Sequence, residues 1–370
     1  MILIFMSKKI KALIAVGGTG GHVFPGCNLA EHLITNNFNV ELITDRRGYK
    51  YLGQYKYLKI NVIDSKPFIF KNIFTIIISS IFLIYSLLRS LFFLLFNRPT
   101  IIFGMGGYAS FPFCIAACLL RIKFIVYENN LILGKSNKYL LPFTKKIFVS
   151  YKDLEGIQKK FNHKVVEIGN IIKKEIIKFS NIHSERETLK RLDILVLGGS
   201  QAAKVFAETL PNIFCECSKK GINLKIYQHC LAKQNAQLKL FYEKHNIDYE
   251  LFNFSNNLIE FFSKSNLAIT RSGSSVSAEL INTNVPFISV PLPTAADNHQ
   301  LKNAIYFKKK GYSLLIEEKD LNEKLFYHIK DIYEDSSILG KIKQNQRQYS
   351  DKNVYNNINE ALKEILNEKN

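Results

Sequence analysis

The sequence predicts an α/β protein made of two Rossmann-like, doubly wound parallel-sheet domains that face a central cleft. Three observations carry this. Two glycine-rich turns stand about half a chain apart, Gly17-Gly18-Thr19-Gly20-Gly21-His22 and Gly198-Gly199-Ser200-Gln201-Ala202-Ala203. Each follows a short apolar run, Ala12 to Val16 and Asp193 to Leu197, of the kind that a parallel sheet buries on both faces. Strand-like and helix-like segments then alternate in both halves of a 370-residue chain, a length too great for one ordinary core.

In chain order, Met1-Ile2-Leu3-Ile4-Phe5 has no basic n-region and does not read as a signal peptide, and Met6 is an alternative start. Helix-forming sequence follows the first turn at Asn28 to Leu33, and a strand is expected at Asn39 to Thr44. From Ile73 to Phe96 there are 24 residues with a single charge, Arg89, long enough as a helix to cross a bilayer at about 1.5 Å per residue. Three readings compete: a helix partly in the core and partly dipped into a membrane interface, a wholly buried helix, and a true span. Ser79, Ser80, Tyr85 and Arg89 interrupt the run, and Lys66, Lys71, Arg89 and Arg98 flank or punctuate it, which favours the first. A strand at Thr100 to Phe103 leads to a third glycine turn, Gly104-Met105-Gly106-Gly107-Tyr108, and a helix around Phe113 to Leu120. Further strands are expected at Lys123 to Tyr127, Ile147 to Val149 and Val165 to Ile168. Gly169-Asn170 marks the domain boundary. The second half repeats the pattern with strands near Leu224 to Tyr227, Leu267 to Thr270 and Phe287 to Val290. The expected division is 1–169 and 170–352, with a final helix over 353–370.

Composition narrows the partners. Fifty Lys and Arg against 31 Asp and Glu give a net charge of +19, which suits a polyanion: nucleic acid, anionic lipid or a phosphorylated substrate. The lysines form no single basic block, and biased composition explains the excess equally well. The six cysteines match neither a paired zinc motif nor a compact disulfide framework, as expected for reduced thiols.

A loop between a parallel strand and a helix aims backbone N–H groups and the positive helix end at one spot, which suits a phosphate or sugar hydroxyl. The first turn fails as a dinucleotide fingerprint, because counting from Gly18 puts Val23 at the third glycine position. Asp45 nevertheless stands where a ribose-binding acid would, so a dinucleotide oxidoreductase is the rival reading. His22, at the start of a helix, is a candidate general base for a hydroxyl. Thr270-Arg271-Ser272-Gly273-Ser274-Ser275-Val276-Ser277-Ala278-Glu279 offers N–H and O–H donors to a diphosphate, with Glu279 placed to accept from both hydroxyls of a ribose. Its alternative is a capped helix with a solvated acid. Asp297-Asn298-His299-Gln300 follows the next strand. No D-x-D pair occurs near these loops, so no metal site is expected.

Together, GGTGGHVFPG from Gly17, GMGGYASFP from Gly104, YENN from Tyr127, GGSQAA from Gly198, TRSGSSVSAE from Thr270 and DNHQ from Asp297 closely resemble the MurG family. These bacterial enzymes add N-acetylglucosamine (GlcNAc) to the lipid-linked muramyl-pentapeptide precursor of peptidoglycan. The resemblance spans nearly the whole chain in order. It implies a GT-B fold, an amino-terminal domain for the acceptor and the membrane, a second domain for UDP-GlcNAc, and a last helix that crosses back to the first domain. It implies an inverting transfer without cofactor, an acceptor of undecaprenyl-pyrophosphoryl-MurNAc-pentapeptide, no nucleic acid, and a peripheral place on the cytoplasmic side of the inner membrane. Position on loops that face one cleft makes His22 the leading base and Glu128 the runner-up, and the resemblance assigns the other residues motif by motif. Thr19, Gly20, Gly21, Tyr108 and Asn130 contact substrate. Ser200 meets the diphosphate, and Ser274, Ser275, Val276, Ser277 and Ala278 hold phosphate and sugar. Glu279 holds the ribose, Gln300 the GlcNAc hydroxyls, and Ser255 lies where the family contacts uracil. Lys173 stands where the family has an arginine, and supplies charge without a bidentate fork.

Overall fold

A computed structural model describes residues 9–66, 71–179, 190–199, 204–253, 255 and 257–367. The chain divides into two compact units, one running through Ile172 and resuming at Lys352, the other Lys173–Asp351.

The first unit is built on β1 (Lys11–Ala15), β2 (Asn39–Thr44), β3 (Lys59–Val62), β4 (Ile101–Gly104), β5 (Lys123–Glu128), β6 (Lys146–Val149) and β7 (Val165–Glu167). All are parallel, in the order β3-β2-β1-β4-β5-β6-β7. Central strands bury both faces, as their unbroken apolar runs require: Leu13, Ile102, Val126 and Ile147 pack with Phe113, Cys114 and Ala117 of the helix Gly107–Leu119. Helix and sheet approach closely because Gly104 has no side chain, and a Cβ there would stand 2.6 Å from Cys114 Sγ. The last helix, Val354–Asn367, belongs to this unit. Tyr355 donates to Ile172 O at 2.6 Å and stacks on His32, while Asn357 donates to Ile168 O at 3.2 Å.

The second unit carries β8 (Leu192–Leu197), β9 (Leu224–His229), β10 (Asp248–Phe252), β11 (Leu267–Thr270), β12 (Phe287–Ser289) and β13 (Ser313–Leu315), all parallel in the order β10-β9-β8-β11-β12-β13. Ile194, Val196, Ile226 and Ile269 pack against Phe206, Leu210 and Phe214 of the helix Lys204–Lys219, and against Leu325 and Ile329 of Leu321–Glu334.

The apolar segment is one helix, Ile73–Phe96, closed at its start by a capping box between Asn72 and Thr75. Its sides are reversed relative to a core helix. Ser79, Ser86, Ser90 and Leu94 are buried, whereas Phe74, Ile81, Leu88, Phe92 and Phe96 are more than half exposed. The inward hydroxyls are satisfied by carbonyls: Ser86 donates to Phe82 O and Asp64 O, and Ser90 to Ser86 O. This corrects the wholly buried reading, while Leu94, with Leu87, Leu91 and Phe93 partly buried beside it, packs into the core as the favoured reading expects. Against Gly107–Leu119 the contact is apolar, with the Phe93 ring edge-on to Phe113 at 6.2 Å between centroids.

Candidate functional site

In the first unit the functional turns meet around His22. Gly106 and Gly107 have φ of +93° and +73°, in the left-handed region. The imidazole lies against their backbone: a Cβ on Gly106 would stand 3.0 Å from His22 Nδ1, and one on Gly107 3.3 Å from Cδ2. Two glycines are thus needed both for the turn and for the ring. His22 is half-buried in the first turn of the helix Gly20–Thr35, whose cap residue Thr19 is exposed. Gly20 and Gly21 open that helix, so their N–H groups have no intrahelical partner. Asn129 donates to Gly21 O at 3.1 Å and so ties this turn to the end of β5.

Asp45 does not serve as a free ribose acid. It is buried, and its Oδ1 accepts from Gly18 N at 3.0 Å and Gly48 N at 2.8 Å. Tyr108 donates to its Oδ2 at 3.3 Å, and Arg47 lies 3.5 Å from that oxygen while stacking on the Tyr108 ring. The carboxylate is spent on shaping the glycine turn, which removes the acid that the oxidoreductase reading needed. Tyr108 in turn is half-buried between this carboxylate and the guanidinium.

Glu128 has a similar fate. Oε1 accepts from Asn130 N at 3.2 Å and Asn130 Nδ2 at 3.1 Å, and Oε2 from Gly134 N at 2.9 Å and Asn137 Nδ2 at 3.0 Å. A carboxylate offers about four lone-pair sites, and all are met by donors of its own loop. Such a group holds Asn130 in place and has no lone pair left for a substrate proton. Among the two candidates for the base, the geometry favours His22.

In the second unit the Ser272-Gly273 turn leads from β11 into the helix Ser274–Asn282. Ser274, Ser277 and Ala278 are buried, and Ser275 and Val276 half-buried. The Ser272 and Ser277 hydroxyls are buried and make no hydrogen bond, an arrangement that costs about 1–3 kcal/mol each unless a ligand meets it. Glu279 is half-buried one turn further on. Burial pushes its carboxyl up to about 7, with the nearby Lys173 ammonium pulling in the other direction. Arg271, which the sequence reading passed over, braces the turn. Its guanidinium stacks on Phe206, donates to Val290 O at 3.3 Å and pairs with Glu318, so it joins the ends of β11 and β12 to the segment after β13. Asn303, also missed, donates to Ser272 O at 3.1 Å. Gln300 accepts from Leu292 N at 3.0 Å, just after Asp297 and Asn298, whose φ of 51° and 53° are both left-handed. Ser255 accepts from Asn257 N at 3.1 Å in the loop after β10. Ser200 lies outside the described residues, as do Gln201, Ala202, Ala203 and the alternative starts Met1 and Met6.

Solved structures share this architecture. MurG of Acinetobacter baumannii superposes with a TM-score of 0.75 at 21% identity, covering 96% of this chain and 99% of its own. A Staphylococcus aureus MnaA-UDP complex superposes at 0.70 and 14% identity, covering 97% of each. Models of the glycosyltransferase family 28 N-terminal and C-terminal domains match residues 12–149 and 193–361. Fold and domain content together define a glycosyltransferase of the GT-B type. Two curated relatives bear the name UDP-N-acetylglucosamine--N-acetylmuramyl-(pentapeptide) pyrophosphoryl-undecaprenol N-acetylglucosamine transferase. That of Pelagibacter ubique is 36% identical over 98% of this chain and 100% of its own length, and that of Rickettsia felis 34% identical over 90% and 94%. The chain belongs to glycosyltransferase family 28, within the group of these MurG transferases.

Proposed function

We propose that this protein transfers GlcNAc from UDP-GlcNAc to the 4-hydroxyl of undecaprenyl-pyrophosphoryl-MurNAc-pentapeptide, lipid I, to give lipid II. The observation that carries this reading is the 36% identity to a named transferase over 98% of the chain. The first unit takes the acceptor and the second, Lys173–Asp351, the donor. His22 removes the proton of the 4-hydroxyl as its oxygen bonds to C1 of GlcNAc. The bond from C1 to the diphosphate breaks with inversion, a β-1,4 linkage forms and UDP leaves. Ser272, Ser274, Ser275 and Ser277, together with the N–H groups opening their helix, meet the leaving diphosphate, and Ser200 has the same role. Val276 and Ala278 line the sugar, Glu279 accepts from the ribose, Gln300 orients GlcNAc, and Ser255 borders the uracil. Thr19, Gly20, Gly21 and Asn130 contact the sugars. Lys173 offsets charge near Glu279, and Glu128 is a positioning residue for Asn130.

The exposed apolar side of Ile73–Phe96 supports docking of the first unit on an anionic membrane surface, at the cytoplasmic face of the inner membrane where a lipid-linked acceptor is reached. Incubation with UDP-GlcNAc and lipid I is expected to yield the disaccharide-linked lipid and UDP in equal amounts. Donor hydrolysis without product, or transfer only to other acceptors, would overturn the assignment.

A further inference from the structure

The segment that follows β2 is fastened to the turn that carries His22. Asp45 accepts from Gly48 N at 2.8 Å, and a Cβ on Gly48 would stand 3.0 Å from Gly17 Cα, so the short helix Arg46–Tyr49 rests on the first glycine turn. The chain then runs along the helix Gly20–Thr35: the Tyr51 ring meets Phe24 edge-on at 5.9 Å between centroids, and Tyr57 donates to Glu31. Leu52, Tyr55 and Leu58 are buried and anchor it. Over 46–59 the sequence holds five Lys and Arg, four Tyr and no Asp or Glu. Arg46 pairs with Asp64 at 3.0 Å, Arg47 with Asp45 at 3.5 Å and Lys59 with Glu41 at 3.0 Å. Lys50 and Lys56 are exposed, and among the described residues no carboxylate pairs with either. Tyr49, next to Lys50, is 54% exposed.

The chemistry of the acceptor says what must pass nearby. In a muramyl sugar the peptide is joined through its amino end to the lactyl ether at C3, the carbon beside the one that bears the reacting hydroxyl. The peptide therefore starts next to the oxygen that His22 serves, and five extended residues carry it about 17 Å further. Its far end is a free carboxylate. We propose that the segment 46–56 is the subsite for this peptide, with its backbone over Tyr49 and its carboxylate met by Lys50 and Lys56. The proposal rests on the reading of the protein as a lipid I transferase, and names what holds the part of the acceptor that the glycine turns do not. Because the two ammonium groups stand away from the reacting atoms, they act on acceptor KM and leave kcat alone.

The test measures initial rates with UDP-GlcNAc and three short-chain analogues of lipid I: one with the free pentapeptide, one with its terminal carboxylate as a carboxamide, and one with a lactyl methylamide in place of the peptide. For the parent, acceptor KM is expected to rise about fivefold for the carboxamide and tenfold or more for the methylamide, with kcat within about twofold. The double variant Lys50→Gln, Lys56→Gln raises KM for the free pentapeptide about tenfold and changes that for the methylamide by less than about twofold. Its thermal unfolding stays unchanged, because both side chains are exposed. An equal loss on all three acceptors overturns the proposal, since the two lysines would then act on the fold or on the sugar. So does an equal loss in Lys220→Gln, Lys244→Gln, two exposed cations of the second unit, which marks a diffuse field. A parent that transfers equally well to all three acceptors overturns the peptide subsite alone. A parent that transfers to none of them overturns the transferase reading, and the subsite with it.

Discussion

Replacing Glu279 by Gln separates what this carboxylate costs the fold from what it does for the donor. Its pKa rises from an ordinary 4.5 to about 7 because burial penalises the charged form. The folded state therefore keeps a proton that the unfolded state gives up between pH 4.5 and 7, so this group's contribution to stability falls as pH rises through that window. At about 1.4 kcal/mol per unit the ceiling is roughly 3 kcal/mol, and the residual solvent contact of a half-buried side chain reduces it to about 1–2 kcal/mol. Glutamine carries no such penalty. For a unit of this size the variant is expected to melt on the order of 5 °C higher at pH 8 and at the parent's temperature at pH 5. Donor binding moves the opposite way. An amide accepts one ribose hydroxyl well where the carboxylate accepts two, and losing one charge-assisted bond weakens UDP-GlcNAc by about ten- to a hundredfold. Thermal scans from pH 5 to 8, paired with calorimetric titration of UDP-GlcNAc, read both effects. A melting difference that does not change with pH refutes the burial argument, and unaltered donor affinity refutes the ribose role.

His22→Ala is expected to lower kcat by about 10²- to 10⁴-fold and to erase the acid-side limb of its pH profile; near-full kcat with the parent profile removes His22 as base. Glu128→Gln turns an amide N–H₂ toward Gly134 N–H and Asn137 or toward Asn130, so about 1–3 kcal/mol of stability and much of kcat are lost while the pH profile keeps its shape. A lost limb in that variant would return Glu128 to the chemistry. Gly17→Ala puts a Cβ 2.3 Å from that of Ala109, an overpacking cost of about 1–3 kcal/mol in thermal or urea unfolding. Adding Ala109→Gly restores most of it if the clash is the cause, and restores nothing if Gly17 acts through backbone freedom alone.

The interior of both sheets was legible because β1, β4, β5, β8 and β11 are buried on both faces and read as unbroken apolar runs. The strands that escaped, β3, β10 and β13, stand at sheet edges, where Lys59, Asn61, Asp248 and Glu250 break the pattern. The glycine and serine turns were legible for a similar reason, since a turn that passes within van der Waals distance of an imidazole or a neighbouring helix tolerates few residues. What sequence could not resolve was the occupation of carboxylates. Asp45 and Glu128 look like chemistry in one dimension, yet each is saturated by N–H donors that the fold brings from Gly18, Gly48, Gly134 and Asn137. Arg271 and Asn303 were overlooked because their work is done on backbone carbonyls and on partners far along the chain, which leaves no local motif. The apolar helix misled through volume: serine scores as an interruption by hydropathy, but here it is the residue small enough to face inward.

The return of Val354–Asn367 to the first unit bears on how the protein is made. Synthesis produces that unit first, but Tyr355, Ile358, Leu362 and Ile365, all buried against it, emerge last. The whole of Lys173–Asp351 must leave the ribosome before the gap beside His32 and Ile172 can close. Until then the nascent unit, which also carries a large apolar helix surface, waits without its final layer. That interval prolongs the exposure of an apolar side that the finished unit covers. Truncation from the carboxyl end should therefore damage the part of the molecule made first.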